Sequence, residues 1–295
     1  METFMKTLTP IAVAITLAIS GTAYAGGNTA TQDQHGGHNS ATITQTGPLT
    51  WNNNAMQEQH GDHNSADIVH NAEFGSYGYQ YQEGDHHSAE LLQTGGVGNE
   101  SFSFQSGTYN VSETLQYGQI GSYSAHQQSG NNHYALTYQF LGADNSVIII
   151  QNDSHNTATA TQVVSVGSDV VIRQRGELHN ADTYQSGFGH DAGMRQSGES
   201  NDADIRQVGG DHYGRIRQRG HNHEADISQA GYNHTARTRQ RGHHNDVYLG
   251  QIGVGHTAMA HQSGHNNYSL VGQFGTEETA MVMQSGHANQ SYIFQ

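Results

Sequence analysis

Twenty-two histidines give this chain its largest store of side chains that could bind a metal ion or a proton. Two series of four recur every 22 residues: His190, His212, His234 and His256, and His221, His243, His265 and His287. Stacked imidazoles could share Zn²⁺ or Cu²⁺, but no carboxylate or thiolate completes a closed site, so we predict no bound metal and no other cofactor. Histidine also gains a proton below about pH 6, which would charge the first series and add like-charge repulsion. We therefore predict slower assembly at about pH 5 than at about pH 7.5. The alternative is that histidine only replaces asparagine as a turn residue that tolerates unusual φ.

The arginines are a second group of functional side chains that is clustered in the sequence. All ten lie between Arg173 and Arg241, whereas residues 26–172 contain 13 acidic residues and neither Lys nor Arg. Four arginines at 22-residue spacing would stack on one outward face: Arg173, Arg195, Arg217 and Arg239. Asp182, Asp204 and Asp226 would stack on the opposite face. The hypothesis is a positive stripe for an anionic partner: the acidic half of a neighbouring copy of the chain, an anionic polysaccharide polymer or DNA. The alternative is that like charges slow premature stacking.

No arrangement suited to catalysis accompanies these series. The acidic residues are scattered, no non-repeating insertion could build a pocket, and there is no cysteine. The formal net charge of −15 argues against general nucleic-acid binding. We therefore predict that the protein is not an enzyme and has no catalytic residues.

Composition limits the folds that could position these side chains. The chain is 33% hydrophobic and 13% charged, with 37 glycines and 2 prolines. A conventional globular core needs more apolar side chains to offset the entropy lost on folding, and disordered chains are richer in proline and charge. These values indicate a chain that is ordered by repetition.

Glutamine defines the repeat. It recurs from Gln34 to Gln295 in steps of 11 or 12 residues, apart from the longer step between Gln45 and Gln59, with His70 at one position where glutamine is expected. The units are mostly 23 residues long over 34–174 and 22 residues long over 174–295. We expect these amides to form ladders along the axis of the repeat, as in cross-β stacks. The ladder residues are Gln174, Gln185, Gln196, Gln207, Gln218, Gln229, Gln240, Gln251, Gln262, Gln273 and Gln284, with Asn201, Asn245, Asn267 and Asn289.

Within each step the pattern Q-x-G-x-x-N-x-A-x-x-x-Q predicts one strand and one tight turn. Gln196, Gly198, Asn201, Ala203 and Gln207 show the pattern. Ala, an apolar residue or Thr, and Gln alternate with polar residues, which is typical of a strand with one buried face, and Gly-x-x-Asn supplies turn residues. The sequence therefore predicts an all-β, two-sheet β-solenoid of about 11–12 rungs, roughly 55 Å long at 4.8 Å per rung.

The first 25 residues have the layout of a secretory signal peptide. Lys6 precedes a short apolar run, and Ala23-Tyr24-Ala25 is a small-x-small cleavage signature. No later segment approaches 18 apolar residues, so we predict no membrane span. The predicted organisation is a signal peptide at 1–25, a short segment at 26–33 and the repeat at 34–295, with the mature chain leaving the cytoplasm.

The iterated motif Q-x-G-x-x-N-x-A-x-x-x-Q, preceded by a signal peptide, resembles the curlin repeat of bacterial curli subunits. The resemblance implies a functional amyloid that forms extracellular, cell-surface fibres of a biofilm matrix. It also implies partners: copies of the chain itself, a nucleator subunit, an outer-membrane export pore and accessory proteins. The sequence departs from the family in its short segment 26–33 and in its larger number of repeats.

The ends of a solenoid supply an independent argument for polymerisation. Each end leaves a row of unpaired backbone groups, which soluble solenoids normally cap. The last residues, Gln290 to Gln295, are uncharged and complete a repeat. We therefore expect a fibre-building subunit similar to the major curlin. The alternatives are a minor nucleator subunit and a secreted β-solenoid adhesin that does not polymerise.

Overall fold

The computed structural model describes residues 26–295, and the predicted signal peptide lies outside the described residues. The described chain consists of 24 β-strands joined by short turns. The odd-numbered strands are β1 Thr29–His35, β3 Asn54–His60, β5 Tyr77–Asp85, β7 Glu100–Thr108, β9 Tyr123–Asn131, β11 Ser146–Ser154, β13 Asp169–Glu177, β15 Asp191–Glu199, β17 Tyr213–His221, β19 Thr235–His243, β21 Thr257–His265 and β23 Thr279–His287. The even-numbered strands are β2 Ser40–Thr46, β4 Ser65–Asn71, β6 Ser88–Thr94, β8 Val111–Ile120, β10 Tyr134–Ala143, β12 Thr157–Val166, β14 Asn180–Phe188, β16 Asp202–Gly210, β18 Glu224–Tyr232, β20 Asp246–Val254, β22 Tyr268–Thr276 and β24 Gln290–Phe294.

The strands form two parallel sheets of 12 strands each. The odd strands make one sheet and the even strands the other, hereafter the odd sheet and the even sheet. One odd strand and the even strand that follows it make one rung. Neighbouring strands are in register, so that Gln196 of β15 pairs with Gln174 of β13 and with Gln218 of β17. The prediction of an all-β, two-sheet β-solenoid with 11–12 rungs is confirmed.

Alternate residues of each strand point into the narrow space between the sheets. In β16, Ala203, Ile205 and Gln207 are buried, whereas Asp204 and Arg206 are exposed. Most rungs repeat this choice of Ala, a branched aliphatic residue and Gln. Because the space is thin, small residues and amides fill it, which explains how a chain of low hydrophobicity has a continuous core.

The core changes from apolar to polar around the fifth rung. His126 of β9 is fully buried, and its ring nitrogens lie 2.8 Å from Ser112 Oγ and 2.7 Å from Thr137 Oγ1. Burial lowers the pKa of His126 to about 3, so the ring is neutral at physiological pH. The apolar clusters on the two sides are Ala55, Ile68 and Leu91, and the larger set that runs from Ala135 to Val282.

The turns place positive φ at two positions of the motif. The glycine of Gly-x-x-Asn is one of them: Gly198 has φ 117°, and a Cβ there would overlap the carbonyl oxygen of Gly220 in the next rung. The residue before the asparagine is the other, as in Ser200 with φ 53°. Asn201 itself is not among the residues with positive φ. Histidine therefore does not replace asparagine for conformational tolerance, and that interpretation of the sequence is wrong.

The extra residue of the 23-residue units is a bulge on the turn from the even sheet to the odd sheet. The residues at this position have φ between 50° and 70°: Ala72, Gly95, Gly118, Leu141 and Val164. After Val164 the bulge is lost, and the register of β12 against β14 shifts between Gln162 and Ser165. Both sheets continue through this point without a break. The change of period therefore does not divide the solenoid.

Two details differ from the simple repeat. Strand β1 begins at Thr29, within the short segment 26–33 that the sequence places before the repeat. The irregular stretch after Pro48 forms a loop only up to Asn53, because Asn54–His60 is strand β3. Residues 26–295 include no helix that is long and apolar enough to cross a membrane.

Candidate functional site: side-chain columns and open rungs

The inward glutamines form hydrogen-bonded columns that run the length of the solenoid. Gln196 Nε2 donates to Gln218 Oε1 at 3.0 Å, and Gln218 Nε2 donates to Gln240 Oε1 at 3.0 Å. Most of these Nε2 groups also donate across the core, as Gln196 does to the carbonyl of Asn180 at 2.6 Å. All of these amide ladders donate toward the C-terminal rung, so each column has a direction. The structure places the selected glutamines in two columns: Gln174, Gln196, Gln218, Gln240, Gln262 and Gln284 in the odd sheet, and Gln185, Gln207, Gln229, Gln251 and Gln273 in the even sheet.

A second pair of columns lies at the turns, where the motif has asparagine. The turn column after the odd strands contains Asn39, Asn64, His87, Asn110, His133, Asn156, His179, Asn201, His223, Asn245, Asn267 and Asn289. The turn column after the even strands contains Asn28, Asn53, Ser76, Asn99, Ser122, Asn145, Ser168, His190, His212, His234, His256 and Glu278. In both turn columns each side chain accepts the backbone N–H of the next member, as Asn245 Oδ1 does from Asn267 at 3.1 Å. Asparagine at this position therefore joins one rung to the next.

Histidine makes the same two contacts as asparagine in these columns. Asn201 Nδ2 donates to the carbonyl of Ser197, and His190 Nε2 lies 3.1 Å from the carbonyl of Ser186, four residues before it in the same way. His190 Nδ1 accepts the backbone N–H of His212 at 3.4 Å. Only the neutral Nε2–H tautomer satisfies both contacts. The rings stack with centroids about 5 Å apart, 5.0 Å between His190 and His212.

The expectation that this first histidine series charges below about pH 6 does not hold for His190, His212 and His234 in the folded chain. All four rings are buried, with exposures of 0–1%. Burial is the main cause of a lowered pKa at His190, His212 and His234, and the neighbouring imidazoles lower the pKa of His212 further, to about 4. The sequence missed this because the asparagine position was interpreted as an exposed turn. The second series, from His221 to His287, also stacks, but its rings lie outside the core.

The structure contains a buried carboxyl group that sequence reasoning missed. Glu73 is fully buried in the turn after β4. It accepts hydrogen bonds from the Ser76 hydroxyl at 2.8 Å and from the backbone N–H of Gly96 at 2.7 Å. Burial raises the pKa of Glu73, and these hydrogen bonds oppose that shift. Its place in the turn between β4 and β5 was the available signal, because Gly96 leaves room for its carboxylate in the next rung.

The charged series lie on opposite outer faces. Arg173, Arg195, Arg217 and Arg239 pair in register on the odd sheet and are exposed. Asp182, Asp204 and Asp226 pair in register on the even sheet. Burial, followed by the neighbouring carboxylates, raises the pKa of Asp226 to about 6. A surface groove on the odd sheet is lined by Arg215, Arg217, Arg237 and Arg239 and by methionines of β21 and β23.

The two turn edges of the solenoid differ in chemistry. The edge after the even strands, here called the apolar edge, carries a column of largely apolar residues: Trp51, Phe74, Val97, Ile120, Ala143, Val166, Phe188, Gly210, Tyr232, Val254 and Thr276. Several of them are about half exposed, such as Trp51 at 50% and Phe188 at 47%. The corresponding column on the other edge is polar and ends in the second histidine series.

The end rungs leave complementary groups without a partner in the described chain. At the N-terminal end, Gln34 donates to Gln59 at 2.7 Å, but its own Oε1 accepts no hydrogen bond from residues 26–295. At the C-terminal end, Gln284 Nε2 donates only to the carbonyl of Tyr268 within that same part of the chain. The N-terminal rung thus presents an amide acceptor, and the C-terminal rung presents an amide donor of the same column.

Comparison with known families identifies the repeat. The family model of the curlin associated repeat matches residues 198–231 and 242–275. Two segments of the chain are therefore similar to the curlin associated repeat. Both matched segments begin and end at turn glycines, so each covers three complete steps of the glutamine period. No curated protein matches the chain. The curlin repeat and the β-solenoid together support a curli-like structural protein.

The matched segments lie in the 22-residue region, where the turn column after the even strands contains His190, His212, His234 and His256. The region before Gln174 has the same columns with a bulge added in each rung, and its register to the matched region is continuous. The repeat architecture therefore extends from β1 to β24, beyond the two matched segments.

Proposed function

We propose that this chain is a structural subunit of extracellular, curli-type amyloid fibres, and that it polymerises end to end through its first and last rungs. The observation that carries the proposal is that each hydrogen-bonded column runs in one direction: the glutamine Nε2 groups donate toward the C-terminal rung and the turn-column N–H groups toward the N-terminal rung, which makes the two ends of one solenoid complementary. A fibre of this kind would serve adhesion and the biofilm matrix, in agreement with the predicted signal peptide.

The complementarity extends to the turn columns. Each member donates its backbone N–H to the previous side chain, so the first members, Asn28 and Asn39, have no described acceptor. The last members, Asn289 and Glu278, have side-chain oxygens that accept no backbone N–H from a following rung. Placing the C-terminal rung of one copy under the N-terminal rung of another would pair both sets. The new rung would repeat the contacts between existing rungs.

The outward residues of the last rung fit the same proposal. Tyr292 and Phe294 are 56% and 64% exposed, and the inward Ile293 is only partly covered by the apolar core. An incoming rung would bury Ile293 as Val271 is buried in β22. The nucleator, export pore and accessory proteins that the family resemblance implies remain proposed partners.

The test is growth of fibres from purified residues 26–295 diluted from denaturant at neutral pH. We expect a lag in thioflavin fluorescence, fibrils in electron micrographs, and removal of the lag by sonicated seeds. Fibrils that form only with seeds of another subunit would favour a chain that depends on a nucleator. A stable, β-rich monomer under all these conditions would contradict the proposal and favour a non-polymerising adhesin.

A further inference from the structure

Rungs 7–10, formed by strands β13–β20, carry opposite charges on their two faces. The outer face of the odd sheet presents nine arginines: Arg173, Arg175, Arg195, Arg215, Arg217, Arg219, Arg237, Arg239 and Arg241. The outer face of the even sheet presents six acids: Asp182, Asp202, Asp204, Glu224, Asp226 and Asp246. The exceptions are Asp169 and Asp191 on the odd face and Arg206 on the even face. These two surfaces are hereafter the basic face and the acidic face.

Neither set of charges is neutralised inside the molecule. All ion pairs within residues 26–295 involve histidine, and none involves an arginine. Like charges instead stack at the spacing of neighbouring strands, about 4.8 Å. This crowding contributes to the raised pKa of Asp204 and Asp226, after burial. A surface of opposite charge would relieve the repulsion on each face.

The columns of the two faces are offset so that they interdigitate. Gln218 Nε2 donates across the core to the carbonyl of Asp202, and Gln240 Nε2 donates to that of Glu224, both at 2.6 Å. The column of Asp202 and Glu224 therefore lies level with the odd-sheet glutamines. Arg217 and Arg219 flank Gln218 in sequence. The column of Asp202 and Glu224 therefore lies between two arginine columns when the solenoid is viewed along the sheet normal.

The second acidic column follows the same rule. Asp204 is two residues after Asp202, and the strands of the two sheets run in opposite directions across the core. Its column, with Asp182 and Asp226, therefore lies between the columns of Arg215 and Arg217. A copy of the solenoid that is translated along the sheet normal, without rotation or axial shift, would set each acidic column between two arginine columns.

We propose that the basic face of rungs 7–10 docks against the acidic face of the same rungs in a second copy of this chain, with the two axes parallel. A two-fold arrangement would bring like faces together and is disfavoured by their repulsion. The contact is heterologous and does not close, so it builds open lateral arrays in which all solenoids point the same way. The inference deepens the proposed fibre function and rests on it, because the fibre repeats the contact.

Repetition along the fibre is what would make this contact strong enough. One exposed ion pair contributes only ~0–1 kcal/mol and is screened by salt. End-to-end stacking would present one charged segment in every 12 rungs, so two aligned fibres would engage many segments at once. Lateral bundling should therefore depend steeply on ionic strength even where growth of the single fibre does not.

Charge reversal tests the pairing. The even-face variant replaces all six acids of the acidic face with Lys; the odd-face variant replaces all nine arginines of the basic face with Glu; a third chain combines both. Fibre growth is followed by seeded thioflavin fluorescence, and bundling by low-speed pelleting and electron microscopy at about 20 mM and about 500 mM salt. We expect wild-type bundles that separate at high salt and a reduction of about tenfold in bundled fibres for each single-face variant. The combined variant should restore bundling, because its two faces are again opposite in charge.

A matched control places the same change where the odd face has no arginine. Glu90→Lys with Glu113→Lys lies on the even face in rungs 3 and 4 and should leave bundling within about twofold of wild type. The inference would be overturned, with the fibre function intact, if fibres grow normally but their bundling does not respond to either reversal. Bundling that the combined variant fails to restore would overturn it in the same way. Bundles that persist at high salt would assign lateral contact to the apolar edge instead.

Two further arms separate the remaining outcomes. Dextran sulfate that bundles wild-type fibres, with the even-face reversal having no effect, would show that an anionic polymer occupies the basic face and would overturn the pairing. A chain that forms no fibres would contradict the proposed function. The pairing is then tested on soluble chains carrying Arg217→Cys or Asp204→Cys, mixed with a short bismaleimide that spans about 10 Å, the distance between packed sheets. Cross-linked mixed dimers at low salt support the pairing, and their absence overturns it.

Discussion

His212 is joined to His234 by a hydrogen bond that only a neutral ring can make. Nδ1 of His212 accepts the backbone N–H of His234 at 3.3 Å, while its Nε2 lies 3.0 Å from the carbonyl of Val208. A proton on Nδ1 would turn the acceptor into a donor facing another donor. The hydrogen bond between these two rungs therefore depends on pH because a buried ring must stay neutral, and not because charged rings repel each other at the surface.

The first prediction is that the folded solenoid loses stability as pH falls from about 6.5 to about 4. The pKa of His212 and that of His223 are each lowered to about 4, so the unfolded chain binds protons over this range that the folded chain does not. This contribution to stability rises with pH across the window and levels off above it, whereas carboxyl groups with a raised pKa, such as Asp226, act in the opposite direction. We expect a contribution of ~1–3 kcal/mol from each such histidine, measured as the denaturant midpoint at several pH values.

A matched pair of variants assigns this effect to the turn column. His212→Asn with His234→Asn preserves the acceptor and the donor but removes the titration, so the dependence on pH should become shallower. His265→Asn with His287→Asn changes two stacked rings that accept no backbone N–H within the described chain, and should leave the dependence as it is. An unchanged slope for the first pair would contradict the interior mechanism.

The second prediction concerns the glutamine column. Gln207→Leu retains the size of the side chain but leaves Gln185 Nε2 without its acceptor at 2.9 Å and Gln229 Oε1 without its donor at 2.9 Å. Buried groups left in this state cost ~1–3 kcal/mol each, so we expect a loss of ~2–5 kcal/mol in unfolding free energy. Gln127→Leu is the control, since Gln127 points outward on β9, and it should change stability by less than ~0.5 kcal/mol. Equal effects of the two changes would show that the ladder adds nothing to stability.

The third prediction concerns the turn glycines. Gly220 has φ 132°, and a Cβ there would overlap the carbonyl oxygen of Gly242. Gly220→Ala should therefore destabilise the solenoid by ~2–4 kcal/mol and slow fibre growth. Gly193→Ala is the comparison, because Gly193 lies in a strand and its nearest neighbour is Arg215 Cγ at 4.0 Å. A denaturant midpoint for Gly220→Ala that matches this comparison would contradict the steric argument.

Much of the fold could be predicted from spacing because every rung repeats the same one-dimensional rule. The glutamine period and the alternation around Ala203 and Ile205 fix the strand, its buried face and the stacking partner 22 residues away. The same arithmetic brings Arg195 to Arg217.

Other features could not be predicted because they depend on the turn geometry and on the direction of strands across the core. Asn201 is a buried acceptor and not a residue with unusual φ, so the equivalent burial of His190 and the buried carboxyl of Glu73 were missed. Val164 adopts a positive φ that β-branched residues rarely take, and only the stacked bulge position explains it. The offset between the columns of Asp204 and Arg217 likewise requires the antiparallel course of consecutive strands.

The last prediction tests end-to-end growth at one identified strand. Outward residues of each rung donate their backbone N–H toward the C-terminal neighbour, as Tyr268 does to the carbonyl of Asn289 at 2.8 Å. Tyr292 is the equivalent outward position in β24, which forms the open side of the even sheet. Tyr292→Pro removes a backbone N–H donor on that open side and adds a ring where the next rung would stack. The backbone hydrogen bonds from β24 to β22 are made by the residues that alternate with Tyr292, so the substitution leaves them in place. The variant should fold, add to the C-terminal end of a growing fibre through its own first rung, and block that end.

We therefore expect substoichiometric Tyr292→Pro to slow seeded growth of the wild-type chain by about tenfold at a ratio of about one to ten, with shorter fibres in electron micrographs. Tyr292→Thr keeps the N–H at the same exposed position and should add and elongate as wild type does. Full growth in the presence of Tyr292→Pro would mean that β24 does not receive the next subunit. Inhibition by both variants would instead assign the effect to the tyrosine ring and not to the open row of backbone donors.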